Sequence, residues 1–258
     1  MAFSEYAHFY DLFYAGKNYA AEAEFILELS SRFGLVPKTL LDMGCGTGRH
    51  LVEFVKRHVK CDGFDKSPEM LVQASRRLSG DNVTLTEANI TDFENGKKYD
   101  LVVGMFAVFG YLISNDQLLS GLRTAYKHLL PGGLFIFDGW FGPAVLTQKP
   151  DHRKHEYQDG QDTVVRKASP VLDSINQTVT IHYEIMIKRK NRVLKRIDEN
   201  HHVRFMFIQE MAIAMEHCNL EMIHYCPFMM PDGKLTCGTW NVTFIARRKK
   251  EFLESERY

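Results

Sequence analysis

Hydrophobic and polar positions along this chain follow two rhythms, and the change from one to the other divides it. From about residue 20 to residue 140, short apolar runs alternate with segments of helical spacing. Residues 20–33 place Ala23, Ile26, Leu27 and Ser30 on one helical face, and Gly34 ends that helix. A strand is predicted at 39–43, then a glycine loop, then a helix over 50–57. Residues 61–65 form a second short strand, and Ser67 with Pro68 starts the next helix as N-cap and first-turn residue. Val83 and Leu85 alternate in a third strand. The run beginning at Tyr99 is apolar on both faces and so belongs at the centre of a sheet. Ser114 or Asn115 caps a helix running to Leu130, and Pro131-Gly132-Gly133 turns into a strand at 134–138. Strand and helix in repetition imply a parallel sheet with helices on both faces.

Beyond that point the period drops to two. Residues 160–207 read as antiparallel strands, with Val179, Ile181, Tyr183, Ile185 and Ile187 on one face and a hairpin turn at Asn191. A helix at 209–218 and strands near 220–225 and 240–247 complete the pattern, and the last ten residues are expected to be a solvated tail. No repeat, low-complexity linker or Gly/Ser/Pro-rich hinge separates the antiparallel segment, so it reads as an insertion packed over the main sheet. Residues 1–20 carry Tyr6, Tyr10, Tyr14 and Tyr19, in a short helix or a lid.

Composition mainly excludes. Formal net charge is zero, which argues against a broad nucleic-acid or membrane footprint. No apolar run reaches the ~20 residues that span a bilayer, and the N-terminus lacks a basic region followed by an apolar one. Cys45, Cys61, Cys218, Cys226 and Cys237 are odd in number and form no C-x-x-C, which fits free thiols in a reducing cytoplasm.

The glycine loop carries the chemistry. In LLDMGCGTGRH, Gly44, Gly46 and Gly48 alternate, whereas a dinucleotide loop would read G-x-G-x-x-G and a phosphate loop would end in Gly-Lys-Ser/Thr. Asp42, two residues before Gly44, would be unwelcome behind a phosphate and favourable near an ammonium group. Asp65 ends the second strand, where an acid can accept both hydroxyls of a ribose. The ANITDF segment ends the third strand, where a side chain could meet an adenine edge. Together these suit a nucleoside that carries an amino acid and no phosphate, S-adenosylmethionine.

The motifs LLDMGCGTGRHL, GFDKSPEML, ANITDF, YDLVVGMFAVFGYL and LLPGGLFIFD stand in the order and spacing of class I S-adenosylmethionine-dependent methyltransferases, and residues 36–138 resemble that family. The resemblance implies one α/β domain over 1–258: a Rossmann-like, seven-stranded, mostly parallel sheet with helices on both faces, plus an antiparallel β insertion at about 148–207. It implies that Gly44, Cys45, Gly46 and Gly48 let the backbone approach the cofactor and that Asp65 holds the ribose. Lys66, Met70, Asn89 and Ile90 would surround the adenine, with Asn89 where the family commonly has aspartate. Met105 and Phe106 would close on the methionine chain. Tyr19 and Asp42 join the expected cofactor-binding residues, since aromatic faces suit a cationic sulfonium and an acid suits an ammonium.

The ends of the chain are similar to N-methyltransferases acting on nucleotide-linked amino sugars, of the desosamine and mycaminose type. That family often has a histidine where this chain has Tyr111, so the identity of any base is open; a phenol with pKa near ~10 is a poor one. Tyr14, Tyr111 and His202 are the candidate catalytic residues, and Tyr10, Tyr14, Tyr111 and Trp140 the candidate acceptor-binding ones. Arg153, Arg166 or Lys167 could meet a diphosphate. No spacing among His182, Glu184, His201 and His202 resembles a dedicated metal site, so no metal is expected. The expected partner is a small-molecule acceptor, with neither nucleic acid nor membrane, and a homodimer through the insertion is plausible. The alternatives are an O- or C-methyltransferase of another metabolite and a non-catalytic module that binds the same cofactor.

Overall fold

The computed structural model describes residues 6–190 and 192–249. Helices α1 (Ala7–Phe13) and α2 (Tyr19–Arg32) lead into β1 (Thr39–Met43), α3 (Arg49–Lys56), β2 (Lys60–Asp65), α4 (Pro68–Arg77), β3 (Thr84–Glu87) and β4 (Tyr99–Gly104). After a short 3-10 turn at Val108–Tyr111 come α5 (Asn115–His128), β5 (Leu129–Trp140) and α6 (Gly142–Gln148). Four antiparallel strands follow, β6 (Arg153–Asp159), β7 (Asp162–Asp173), β8 (Thr178–Arg189) and β9 (Arg192–Arg204). The chain closes with α7 (Ile208–His217), β10 (Leu220–Pro227) and β11 (Asn241–Arg248).

The main sheet has seven strands in the order β10-β11-β5-β4-β1-β2-β3. Strands β1 to β5 pair in parallel, and β11 runs antiparallel to both β5 and β10. The expected central strand, β4, is the middle one. Burial on both faces explains its unbroken apolar run: Leu101, Val102 and Val103 are wholly inaccessible. On one face Ala23, Ile26 and Leu29 of α2 and Leu51 and Phe54 of α3 pack on Leu40, Leu101 and Ile136. On the other, Leu118 and Leu122 of α5 and Met211 and Met215 of α7 pack on Leu41, Val102, Phe135 and Phe244. Each leucine, isoleucine, valine, phenylalanine or methionine among them, fully buried, contributes roughly 1.5–3 kcal/mol.

The departures from the sequence reading are local. On α2 the buried stripe includes Tyr19, Glu22, Phe25 and Leu29, while Leu27 is only half-buried. Helix α5 stops at His128 because Leu129 already pairs with Tyr99; Pro131-Gly132-Gly133 then bulges out before pairing resumes at Leu101 and Leu134. Helix α6 and strand β6 stand where no element was predicted. Asn191, the expected hairpin turn, and the tail from 250 onward lie outside the described residues.

The second sheet, β6-β7-β8-β9, lies across the carboxyl ends of the parallel strands. Its inward face buries Val164, Ile185 and Ile197 against Tyr6 and Phe13 of the N-terminal segment, and Val179, Ile181 and Val203 against Val145. The predicted alternation along β8 is therefore the contact face of this layer. No helix among the described residues is long and apolar enough to cross a membrane.

Candidate active site

A cavity of about 450 Å³ opens between the two sheets and α1, within the ~300–1,000 Å³ usual for small-molecule sites. It sits at the carboxyl ends of β1, β2, β4 and β5. The strand order reverses between β1 and β4, which is where open α/β sheets bind ligands.

The floor is the glycine loop. Gly44, Gly46 and Gly48 all take left-handed backbone angles, φ +77°, +53° and +75°. The three differ in what a side chain would meet. A Cβ on Gly44 would run into Val108 Cγ2, while one on Gly46 meets nothing within 4 Å. At Gly48 it would press on Ala74 and Leu78 of α4 at 3.1 Å. Gly44 and Gly46 line the cavity; Gly48 and Cys45 do not. Gly48 serves helix packing against α4, and Cys45 points its buried side chain toward Gly63.

Asp65, at the end of β2, accepts from Gly46 N through Oδ2 and from Ser67 N through Oδ1, both at 2.9 Å. It ties the loop to the start of α4 while lining the cavity. Burial raises its carboxyl above the ordinary range, against the pull of those backbone N–H groups. Lys66, Met70, Asn89 and Ile90 surround the same end of the cavity, and Met105 and Phe106 line it after β4. Phe106 and the following Ala107 both have positive φ, +65° and +56°, a backbone that costs ~1–2 kcal/mol per non-glycine residue. Ala107 N donates to Asp138 Oδ1 at 3.1 Å, which anchors that turn.

Besides Cys45 and Gly48, two further expected cofactor residues are absent from the cavity wall. Asp42 is sealed beneath the loop, and neither carboxylate oxygen has a hydrogen-bond partner. Burial, with Asp65 nearby, raises its carboxyl to about 7. The Tyr19 hydroxyl is also buried, beside the Arg49 guanidinium, and burial pushes the phenol up to about 12. Asp138, which sequence reasoning did not single out, does line the cavity, and burial raises it to about 6. Its signal was an acid closing a strand of buried apolar residues.

The roof comes from α1 and the second sheet. Tyr10 and Tyr14 line the cavity and meet Phe106 edge-on, at 6.4 and 4.9 Å between ring centroids. Tyr6, not predicted as a site residue, shares a 3.2 Å hydroxyl contact with Tyr14 and accepts from Arg166 Nη1 at 3.0 Å. Tyr111 and Trp140 line the far end, Trp140 edge-on to Trp240 at 5.5 Å. Arg153 and Arg166 add a cationic wall, with His155 beside them. Lys167 faces the other way and pairs with Glu184 at 2.8 Å, because neighbouring residues on a strand point to opposite faces.

The same rule corrects His202. It is exposed and bonds to Thr180 on the outer face at 2.9 Å. His201 is the inward histidine: it lines the cavity, and its Nδ1 lies 2.9 Å from the Tyr111 hydroxyl. The signal was present in the chain. Ile197 and Val203 share parity with 201, so the apolar face of β9 includes His201 and excludes His202. Among the described residues no group of three His, Cys, Asp or Glu side chains could hold a metal.

Comparison with known proteins agrees with this geometry. The profile of a methyltransferase domain matches residues 40–133. The chain is 33% identical, over 70% of its length and 76% of the relative's, to the dTDP-3-amino-3,4,6-trideoxy-alpha-D-glucopyranose N,N-dimethyltransferase of Streptomyces venezuelae. Among solved structures it resembles Streptomyces venezuelae DesVI, with TM-score 0.76, 27% identity, and 93% of this chain and 97% of that one covered. It also shares the fold of the sugar N-methyltransferase KedS8 from Streptoalloteichus, with TM-score 0.80, 23% identity and 93% of each chain covered.

Proposed function

The chain belongs to the S-adenosylmethionine-dependent methyltransferases, and from that membership we propose that it methylates the nitrogen of a nucleotide-linked amino sugar. The observation that carries the reading is the pairing of a cofactor floor with a cationic, aromatic acceptor wall in one cavity. The floor is Gly44, Gly46 and Asp65; the wall is Tyr14, Tyr111, Trp140, Arg153 and Arg166.

The residues present fit the cofactor. Gly46 leaves open space where a side chain would intrude. Asp65 keeps lone pairs toward the cavity after accepting two backbone N–H groups, as a ribose diol requires. Lys66, Met70, Asn89 and Ile90 frame a slot for the base, with Asn89 able to accept from an amino group. The unpartnered Asp42 carboxyl lies beneath the loop, where its field favours an ammonium. When bound, S-adenosylmethionine supplies a methyl on cationic sulfur: the acceptor's lone pair forms the N–C bond as the C–S bond breaks, its electron pair staying on sulfur.

The protein's part is alignment and exclusion of water. Holding two reactants in line lowers a barrier by up to ~7–11 kcal/mol in favourable cases. Tyr14 and Tyr111 orient the acceptor nitrogen, and Tyr10, Tyr14 and Phe106 shield the reacting centre. Arg153 and Arg166 face the diphosphate; Arg166 stands in a ring of Phe13, Tyr14, Tyr157 and Tyr183, 4.7–5.8 Å from their centroids. The relatives' substrates are dTDP-linked amino sugars, which carry that diphosphate. Five unbridged cysteines accord with work in the cytoplasm.

A second reading, methylation of oxygen, draws on His201, since an alcohol needs a stronger base than a bound amine does. A screen of nucleotide-linked amino sugars, simple amines and hydroxylated metabolites with methyl-labelled cofactor, read by mass spectrometry, decides between them. A labelled N-methyl sugar is the expected product; label only on oxygen or carbon would overturn the assignment.

A further inference from the structure

Behind Tyr111 stands a chain of hydrogen bonds that the acceptor-orienting role does not use. The Tyr111 hydroxyl lies 2.9 Å from His201 Nδ1, and His201 Nε2 lies 3.3 Å from Glu199 Oε2. Glu199 is fixed in turn, its Oε1 accepting from Tyr6 N at 3.1 Å. All of it is shielded: Glu199 is 8% exposed and His201 2%. The register of β8 on β9 sets the line, with Ile181 opposite His201 and Tyr183 opposite Glu199 on the inward face. A carboxylate can only accept. Glu199 therefore holds the proton of His201 on Nε2 and leaves the Nδ1 lone pair aimed at the Tyr111 hydroxyl, as the orienting acid does in a Ser-His-Asp arrangement.

We propose that Tyr111, His201 and Glu199 form a proton relay that turns the acceptor's ammonium into the free amine. The inference rests on the N-methyltransferase reading. An amine bound as ammonium has no lone pair with which to attack. In the relay an N–H bond of the ammonium breaks, leaving its electron pair on nitrogen, and the proton passes to the Tyr111 oxygen. The phenol's own proton moves to His201 Nδ1, and Glu199 holds the resulting imidazolium. Net, one proton moves from substrate to imidazole and one positive charge moves from the cavity to the carboxylate behind it. Tyr111 touches the acceptor; His201 and Glu199 act through it as positioning residues. Burial, and then Tyr183, Tyr14 and Glu199, raise the Tyr111 phenol well above its usual value, so it passes a proton on rather than standing ionised. Other ionisable groups facing this line are Tyr6, Tyr10 and Tyr14 of the N-terminal segment, Asp65 and Lys66 at the end of β2, Arg166 of β7 and Tyr183 of β8.

Two measurements test it. The first needs no acceptor: nitrogen NMR of histidine-labelled protein, with His201 identified by its loss in His201→Gln, reads the tautomer. The expected result is a proton on Nε2 and an accepting Nδ1 whose signal moves in Tyr111→Phe; a proton on Nδ1 overturns the relay and leaves the methyltransferase assignment untouched. The second uses an amine found to be methylated. Tyr111→Phe, His201→Gln and the double variant should each lose a similar factor in kcat, roughly 10²-fold. Cofactor affinity should be kept, and the loss should shrink toward high pH, where the amine is already neutral. Tyr111→Phe removes one hydroxyl and no packing, so it serves alone where His201→Gln fails to fold. Losses that multiply, or that stay constant with pH, refute the relay; failure of every amine acceptor overturns the proposed function and the relay's role with it, even with the tautomer as drawn.

Discussion

The three loop glycines provide a test of which backbone positions meet the ligand and which only hold the fold. Gly46→Ala forces an L-residue into φ +53° but meets no neighbour within 4 Å. Its stability cost is therefore the backbone term alone, ~1–2 kcal/mol, which a domain holding ~5–15 kcal/mol tolerates. The added methyl stands in the cavity that Gly46 helps to line. Overfilling a fitted site by one methyl costs ~1–3 kcal/mol, or roughly 5- to 150-fold in dissociation constant. Gly48→Ala pays the same backbone term at φ +75° and also pushes on Ala74 and Leu78 at 3.1 Å. The sum is ~2–5 kcal/mol of stability, and at ~2–4 °C per kcal/mol for a chain of this size, a fall of ~4–20 °C in melting temperature.

Calorimetric titration with S-adenosylmethionine and thermal melts of the ligand-free proteins separate the two. Gly46→Ala should lose affinity by at least fivefold and melt a few degrees low. Gly48→Ala should melt lower still and, below its transition, bind with nearly wild-type affinity. Gly46→Ala binding as tightly as wild type would take the loop out of the cofactor site. The reverse pattern, with Gly48→Ala losing binding and keeping its melting temperature, would refute the division of the glycines between cavity and α4.

Asp65→Ala removes an acceptor that faces the cavity and also frees Gly46 N and Ser67 N; at ~1.5–3 kcal/mol per hydrogen bond to a charged group, affinity should fall at least tenfold. Unchanged affinity in calorimetry would remove Asp65 from the ribose. Asp42 is raised to about 7 from an unfolded value near ~3.9, so its stabilising contribution is full below ~4 and is lost as pH rises through about 7. The ligand-free protein should therefore lose melting temperature across that window relative to Asp42→Asn; parallel profiles would show that Asp42 is not buried as charge-averse as drawn.

Much of this fold was legible because the parallel half obeys strong local rules. Thr39–Met43 and Tyr99–Gly104 are apolar on both faces, Ser67 and Ser114 cap helices through their hydroxyls, and each such signal is contained in a few residues. Strand β6 was not legible: six of its seven residues are exposed and it carries no alternation, since it forms the polar edge of the second sheet. Helix α6 has only seven residues, too short for its period to show. The Phe106-Ala107 turn could not be read either, because neither residue favours a left-handed backbone and it is backbone bonding to the distant Asp138 that anchors it. Asp42 was given a ligand contact from its position beside the loop and Tyr19 from its aromatic face, whereas depth decides whether a side chain lines a cavity or lies outside it.

The acceptor wall shows why strand parity carries so much of the chemistry. On β7 the inward residue is Arg166 and its neighbour Lys167 pairs outward with Glu184; on β9 the inward residue is His201 and its neighbour His202 bonds outward to Thr180. In both pairs the two residues are chemically similar, so the identity of the side chain does not select the functional one. Packing does. Val179, Ile181, Ile185, Ile197 and Val203 must face the core, and the cross-strand register places Arg166 beside Ile185 and His201 beside Ile181. A slip of one residue along β9 would expose Ile197 and Val203 and put His202 at the cavity in place of His201; the same slip along β7 would turn Val164 outward and exchange Arg166 for Lys167. The free energy that holds the register is thus apolar burial, and the guanidinium and the imidazole reach the cavity because they share parity with it. The cofactor floor depends on strand ends that the parallel topology supplies; the acceptor wall depends on which face of a smaller sheet is hydrophobic.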